Sequence, residues 1–123
     1  MIDQTLLYET IFKRKSVRKF DLSPLSKEHE EHVKKGLEQL RPLFDIPYEI
    51  HSVNSEEMGS MFAIKAPHYL LFYSYEQEGA LLNAGYLLQQ LDLYFSSQKI
   101  GGCWLGMAKP QKHVSQDKKM NFV

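Results

Sequence analysis

Apolar residues recur at helical spacing in three stretches of the chain, and this pattern predicts three helices. The first helix follows Asp3, whose carboxylate can cap it, and runs toward the basic residues 13–15. The second follows Ser26, another capping residue, and is expected to end at Pro42. Their apolar positions are Leu6, Leu7 and Ile11 in the first helix, and Val33, Leu37 and Leu40 in the second.

The third helical pattern, from residue 78 to about residue 97, is the longest in the chain. Apolar side chains spread around most of its circumference, which is typical of a helix buried in a fold or in a dimer interface. Fully burying one large side chain contributes roughly 1.5–3 kcal/mol, so this helix is expected to form the backbone of the core. Its apolar positions are Leu81, Leu82, Ala84, Leu87, Leu88, Leu91, Tyr94 and Phe95.

The remaining apolar segments predict strands. Residues 48–53 follow Pro47 and are expected to form one strand. Residues 68–75 are almost continuously apolar or aromatic, which is typical of a central strand covered on both faces. Shorter extended pieces are predicted at residues 17–20 and 103–106, and the last three residues resemble the beginning of another strand.

Composition places the chain among ordinary globular domains. No repeat or linker divides its 123 residues, so a single domain is expected, and the weakly anchored last strand suggests that the polypeptide continues beyond Val123. Fifteen basic and fifteen acidic residues cancel, which disfavours a global attraction to nucleic acid or to an anionic membrane. With no signal peptide, no membrane-spanning apolar run and one cysteine, Cys103, the protein is expected to be soluble and cytoplasmic.

The first segment with candidate chemistry is the basic stretch at residues 13–19, which holds five cations in seven positions. An arginine guanidinium presents a planar fork of donors, and a serine hydroxyl adds one more, which together suit a phosphate. Hydrogen bonds to charged groups contribute roughly 1.5–3 kcal/mol each, so Arg14 and Ser16 alone could fix a phosphate. The competing interpretation is that these cations only favour the C-terminus of the first helix.

The second such segment, residues 101–106, is glycine-rich and follows the third helix. Its glycines would allow a ligand or another chain close to the backbone, and Trp104 supplies a flat apolar wall. The two common glycine-rich phosphate-binding patterns are absent from the sequence. The alternative interpretation is a helix stop followed by a buried core strand.

Taken together, three motifs resemble the nitroreductase family of FMN enzymes. They are residues 14–20, the Asn83-Ala84-Gly85 sequence in the third helix, and residues 102–106, and their order and spacing match over most of the chain. The resemblance implies an α+β fold with a mostly antiparallel sheet flanked by helices. It also implies that residues 1–123 form one FMN-binding domain, lacking its C-terminal part, and that the protein is a homodimer with FMN at the subunit interface.

The resemblance further implies an oxidoreductase in which NAD(P)H delivers hydride to the flavin, which then reduces a nitroaromatic, quinone or similar acceptor. Because the flavin carries the electron chemistry, no side chain is assigned as a catalytic acid or base. The cofactor-binding residues implied are Arg14, Lys15, Ser16 and Arg18 at the phosphate, and Trp104, Leu105 and Gly106 along the isoalloxazine ring.

One segment departs from the family pattern. Many relatives carry a Pro-Ser-x-x-Asn sequence after the second helix, and residues 41–47 here have neither the serine nor the asparagine. A non-catalytic flavin-binding or regulatory protein on the same scaffold is therefore the alternative. A third hypothesis, a small nucleic-acid contact patch at the basic stretch, is disfavoured by the zero net charge.

The other polar candidates are interpreted structurally. His29 and His32 are three residues apart on the second helix, but without a third ligand they are expected to be solvated rather than to bind a metal. His68 is expected at the entrance to a strand, and Cys103 is expected to be a small buried side chain.

Overall fold

The computed structural model describes residues 1–58, 65–105 and 108–123. Within these ranges the three predicted helices are present, as are the strands predicted at residues 48–53, at residues 68–75 and at the last residues, whereas residues 17–20 and 103–105 form no strand. In chain order the elements are α1 (Gln4–Ile11), α2 (Lys27–Glu38), β1 (Tyr48–Val53), a short 3-10 turn (Ser55–Glu57), β2 (Tyr69–Ser74), α3 (Ala80–Ser97) and β3 (Asn121–Phe122).

Both predicted capping residues begin their helices. The Asp3 carboxylate accepts a hydrogen bond from the backbone N–H of Thr5 at 2.9 Å, and the Ser26 hydroxyl oxygen accepts one from His29 at 3.2 Å. Each cap satisfies backbone donors that have no partner inside the helix. The second helix ends at Glu38, four residues before Pro42, and not at the proline itself.

The strands form one antiparallel sheet in the order β1-β2-β3. Tyr48 lies opposite Ser74 and Val53 opposite Tyr69 in the first pair, and Tyr73 lies opposite Phe122 in the second. The central strand, β2, is buried along almost its whole length. This arrangement confirms the predicted α+β class and the prediction that residues 68–75 contain a central strand.

One face of the sheet, which we call the helix-covered face, packs against the helices. Phe72 of β2 meets Leu87 and Leu91 of α3, and all three side chains are at most 2% exposed. Ile2 and Leu40 complete this core beside α1 and α2. Alternation along the strand therefore directs one set of β2 side chains toward the helices.

The other face is covered by residues 108–120, a segment that we call the strap. Leu71 and Tyr73 of β2 pack here with Ala108 and Met120 of the strap. The Ser115 hydroxyl donates a hydrogen bond to the Glu49 carboxylate at 2.8 Å, and the Tyr75 hydroxyl donates one to the Asp117 carboxylate. The sheet thus lies between helices and an irregular segment for which the sequence pattern predicted no structure.

Helix α3 is buried on one side only. Leu81, Leu82 and Tyr86 are 77%, 61% and 44% exposed, and a side chain added at Gly85 would meet nothing within 4 Å. A single chain therefore buries one side of the helix, and burial of the other side in a dimer interface stays a prediction. None of the described helices combines the length and apolar character that a membrane span requires.

Candidate functional site

The two segments predicted to carry chemistry lie side by side. The backbone N–H of Val17 donates to the carbonyl of Gly102 at 3.0 Å. A Cβ atom at Gly101 would stand 3.0 Å from Cγ2 of Val17, so the absence of a side chain permits this close approach. The basic stretch and the glycine-tryptophan segment therefore converge within one subunit, although neither belongs to a helix or strand at the point of contact.

Arg14 is held by an aspartate of α3. Its Nε lies 2.6 Å from Oδ2 of Asp92, and its Nη2 donates to Oδ1 of the same carboxylate at 3.3 Å. The shorter contact is an ion pair and not a hydrogen bond, because the Nε–H is not directed at Oδ2. The two side chains are 20% and 12% exposed, so the pair is largely shielded from water.

Ser16 meets the other terminal nitrogen of the same guanidinium. Nη1 of Arg14 donates to the Ser16 hydroxyl oxygen at 3.3 Å. Each terminal nitrogen carries two hydrogens, so one N–H on Nη1 and one on Nη2 are left over after the contacts to Ser16 and Asp92. The Ser16 hydroxyl accepts from Arg14 and therefore keeps its own hydrogen for donation, which makes three donors available to an anion.

The remaining predicted phosphate residues are not joined to this cluster. Lys15 and Arg18 are exposed and form no ion pair with any residue that the structure describes. They add positive charge around Arg14 without a fixed geometry. Of the predicted phosphate residues, the structure thus brings together Arg14 and Ser16.

An apolar cavity of about 330 Å³ lies between β2 and the second half of α3, and Arg14 and Ser16 are not among the residues that line it. Its volume lies at the lower end of the range for small-molecule sites. Leu91 and Phe95 of α3 form part of one wall, Trp104 and Leu105 form another, and Asp92 reaches the lining. The cavity therefore has a charged group on its wall close to Arg14 and Ser16.

The predicted ring-contacting residues occupy the cavity wall to different extents. Trp104 is 48% exposed, which contradicts the alternative that this segment is a buried core strand. Leu105 is half-buried and also packs against the core beneath the strap. Gly106, the third predicted residue, lies outside the described residues.

The other singled-out residues near the cavity have structural contacts. Nε2 of His68 accepts a hydrogen bond from the backbone N–H of Leu25 at 3.3 Å, which agrees with its expected place at the entrance to β2. Cys103 is half-buried rather than buried and lines the cavity. Among the described residues, no three ligating side chains, those of His29 and His32 included, form a cluster able to hold a metal ion.

Two residues without a predicted role organise the surroundings. Asn83 is fully buried, and its Oδ1 accepts hydrogen bonds from the backbone N–H groups of Leu43 and Phe44 at 2.9 and 3.0 Å. It thereby anchors the loop at residues 41–47. Asp92 is the single charged residue between Gly79 and Gln98. The sequence could have indicated its ion pair, because a carboxylate buried within an apolar helix requires a partner.

Comparison with known proteins gives one family. A family model described as "Putative TM nitroreductase" matches residues 6–123, which is nearly the whole chain. No curated protein and no solved structure matched the chain.

Proposed function

The chain belongs to this nitroreductase family, and from that premise we propose that it is an FMN-dependent oxidoreductase that uses NAD(P)H to reduce a nitroaromatic, quinone or similar acceptor. The observation that carries the proposal is the junction of the Arg14–Ser16 cluster with the Trp104 segment through the Val17–Gly102 hydrogen bond. The proposed location is the cytoplasm.

The donors and the cavity suit the two ends of FMN. Arg14 and Ser16 offer N–H and O–H donors to the phosphate, and Lys15 and Arg18 add positive charge nearby. Trp104 and Leu105 offer an apolar surface to the ring, with Gly106 next in sequence. When bound, FMN supplies the hydride and electron transfer, while these residues bind it, orient it and limit its contact with water.

The exposed stripe on α3, formed by Leu81, Leu82, Gly85 and Tyr86, supports a homodimer as part of the proposal. Contiguous apolar surface of this kind is typical of interaction sites, and an open glycine permits close approach of a second helix. Leu82→Glu should shift the protein toward monomer in analytical ultracentrifugation. Leu22→Glu is the matched control, because Leu22 is also 61% exposed but does not belong to α3.

The first test is reconstitution of the purified chain with FMN. Bound flavin should give an absorbance band at about 450 nm that remains after gel filtration, and the loaded protein should oxidise NAD(P)H when a quinone is added. Absence of both bound flavin and NAD(P)H oxidation would reject the proposal.

The second test removes the proposed phosphate ligand. Arg14→Ala should weaken FMN binding by roughly 10- to 150-fold, the equivalent of hydrogen bonds to a charged group. Lys34→Ala is the matched control, because it removes the same charge from an exposed side chain of α2, outside the proposed site. Equal FMN affinity of Arg14→Ala and the parent chain would remove Arg14 from the site.

A second candidate function is a flavin-binding or regulatory protein without turnover. It is favoured by the loop at residues 41–47, which lacks the serine and asparagine of many relatives and is anchored by Asn83. Stoichiometric FMN with no steady-state reduction of quinones or nitro compounds would support this candidate over the enzyme.

A further inference from the structure

We propose that Asp92 is a positioning residue of the phosphate site: its carboxylate fixes the Arg14 guanidinium so that the terminal N–H groups and Ser16 face the phosphate. The inference rests on the proposed function, since it concerns the same site. Asp92 would not touch the phosphate itself and would act through Arg14.

The contact geometry supports this role. Asp92 meets Arg14 along the Nε–Nη2 side of the guanidinium, while Ser16 occupies Nη1. Asp92 accepts one hydrogen of Nη2 and Ser16 accepts one of Nη1, so each terminal nitrogen keeps one hydrogen for a phosphate. The outer edge formed by those two nitrogens is the edge that can bind a phosphate with two parallel hydrogen bonds.

The carboxylate of Asp92 also lies beside the glycine-tryptophan segment. A Cβ atom at Gly102 would lie 3.4 Å from Oδ1 of Asp92, so the carboxylate lies close to the backbone of the glycine-tryptophan segment. From its position on α3, the Asp92 side chain therefore contacts the basic stretch and lies next to residue 102. One acidic side chain thus connects the three parts of the chain that make up the candidate site.

The carboxylate has two opposing effects on an anionic ligand. It repels a phosphate, but it also orders a long arginine side chain before the ligand arrives, which reduces the entropy lost on binding. The exposed cations Lys15 and Arg18 offset part of the repulsion. We therefore expect the ordering effect to dominate and the loss of Asp92 to weaken FMN binding.

The test compares FMN with riboflavin, which has the same ring and no phosphate. Dissociation constants are measured by flavin fluorescence for the parent chain, Asp92→Ala, Asp92→Asn, Arg14→Ala and Arg14→Ala/Asp92→Ala. Asp92→Ala should lower FMN affinity about tenfold, because the free side chain of Arg14 must then be ordered when the ligand binds. Riboflavin affinity should not change. Asp92→Asn, which preserves the shape of the side chain and one acceptor oxygen, should show a smaller loss.

The double variant separates positioning from a general structural role. If Asp92 acts through Arg14, Asp92→Ala should cause no further loss of FMN affinity once Arg14 is alanine. Equal losses for FMN and riboflavin, additive losses in the double variant, or tighter FMN binding by Asp92→Ala would each overturn the inference. Circular dichroism checks folding, and Asp92→Asn provides the comparison if the alanine variant does not fold.

The two proposals fail in different ways. A parent chain that binds no FMN contradicts the proposed function and, with it, the role of Asp92. A parent chain that binds FMN, loses affinity in Arg14→Ala and keeps it in Asp92→Ala contradicts the role of Asp92 alone.

Discussion

The two faces of the sheet are stabilised by different kinds of interaction. On the helix-covered face, Phe72, Leu87 and Leu91 form an aliphatic and aromatic core with almost no exposure. On the strap-covered face, apolar packing is joined by hydrogen bonds from Ser115 and Tyr75 to the carboxylates of Glu49 and Asp117. Stability should therefore depend mainly on apolar volume on one face, and partly on carboxylate ionisation on the other.

The candidate site lies where these two coverings meet. The cavity is lined by Leu70 and Phe72, which belong to the helix-covered face, and by Leu71, which belongs to the strap-covered face. Trp104 and Leu105 then lead toward the strap. The cavity wall therefore includes residues from both cores.

The largest expected effect is at the centre of the helix-covered face. Leu87 is fully buried, so Leu87→Ala should lower the free energy of unfolding by about 2–5 kcal/mol, through lost apolar contacts and an added cavity. Leu22→Ala, at an exposed leucine, should change it by less than about 0.5 kcal/mol. Urea denaturation measures both. A cost for Leu87→Ala close to that of the control would contradict the dominance of apolar packing on this face.

A smaller effect is expected from the polar anchor near the beginning of α3. Asn83→Ala removes the acceptor for the backbone N–H groups of Leu43 and Phe44, and should cost about 1–3 kcal/mol of unfolding free energy. Gln89→Ala serves as the control, because Gln89 is an exposed residue of the same helix. Urea denaturation again gives the difference. A loss larger than that of Leu87→Ala would contradict the claim that apolar packing dominates the helix-covered face, since a polar contact would then contribute more.

The elements built from periodic apolar residues were predictable from the sequence. Residues that are neighbours in sequence specify the caps at Asp3 and Ser26, the strand β1 and the central strand β2. The exposure of Leu82 did not follow, because an apolar helix pattern does not indicate how many of its sides will have neighbours in one chain.

The strap and the Arg14–Asp92 pair could not be predicted for a different reason. The strap has no apolar period and is held by individual bonds such as Ser115 to Glu49, which are 66 residues apart in sequence. Arg14 and Asp92 are 78 residues apart. Such pairings depend on the tertiary fold, so the sequence identified Arg14 and Ser16 as candidate ligands without indicating the acid that orients them.

The smallest expected effect is the response of the strap to acid. The hydrogen bond from His51, followed by that from Ser115, lowers the pKa of Glu49, and the hydrogen bond from Tyr75 lowers the pKa of Asp117. Both groups have a lower pKa in the folded chain than in the unfolded chain, whose ordinary values are about 4. Their contribution to the free energy of unfolding is therefore present above that pH and is lost as the pH falls through the lowered values.

Asp117→Asn should reduce the loss of unfolding free energy between neutral pH and acid, whereas Glu78→Gln, at an exposed acid, should not. Urea midpoints across this range test the difference, and parallel curves for Asp117→Asn and the parent chain would show that the carboxylate of Asp117 does not hold the strap.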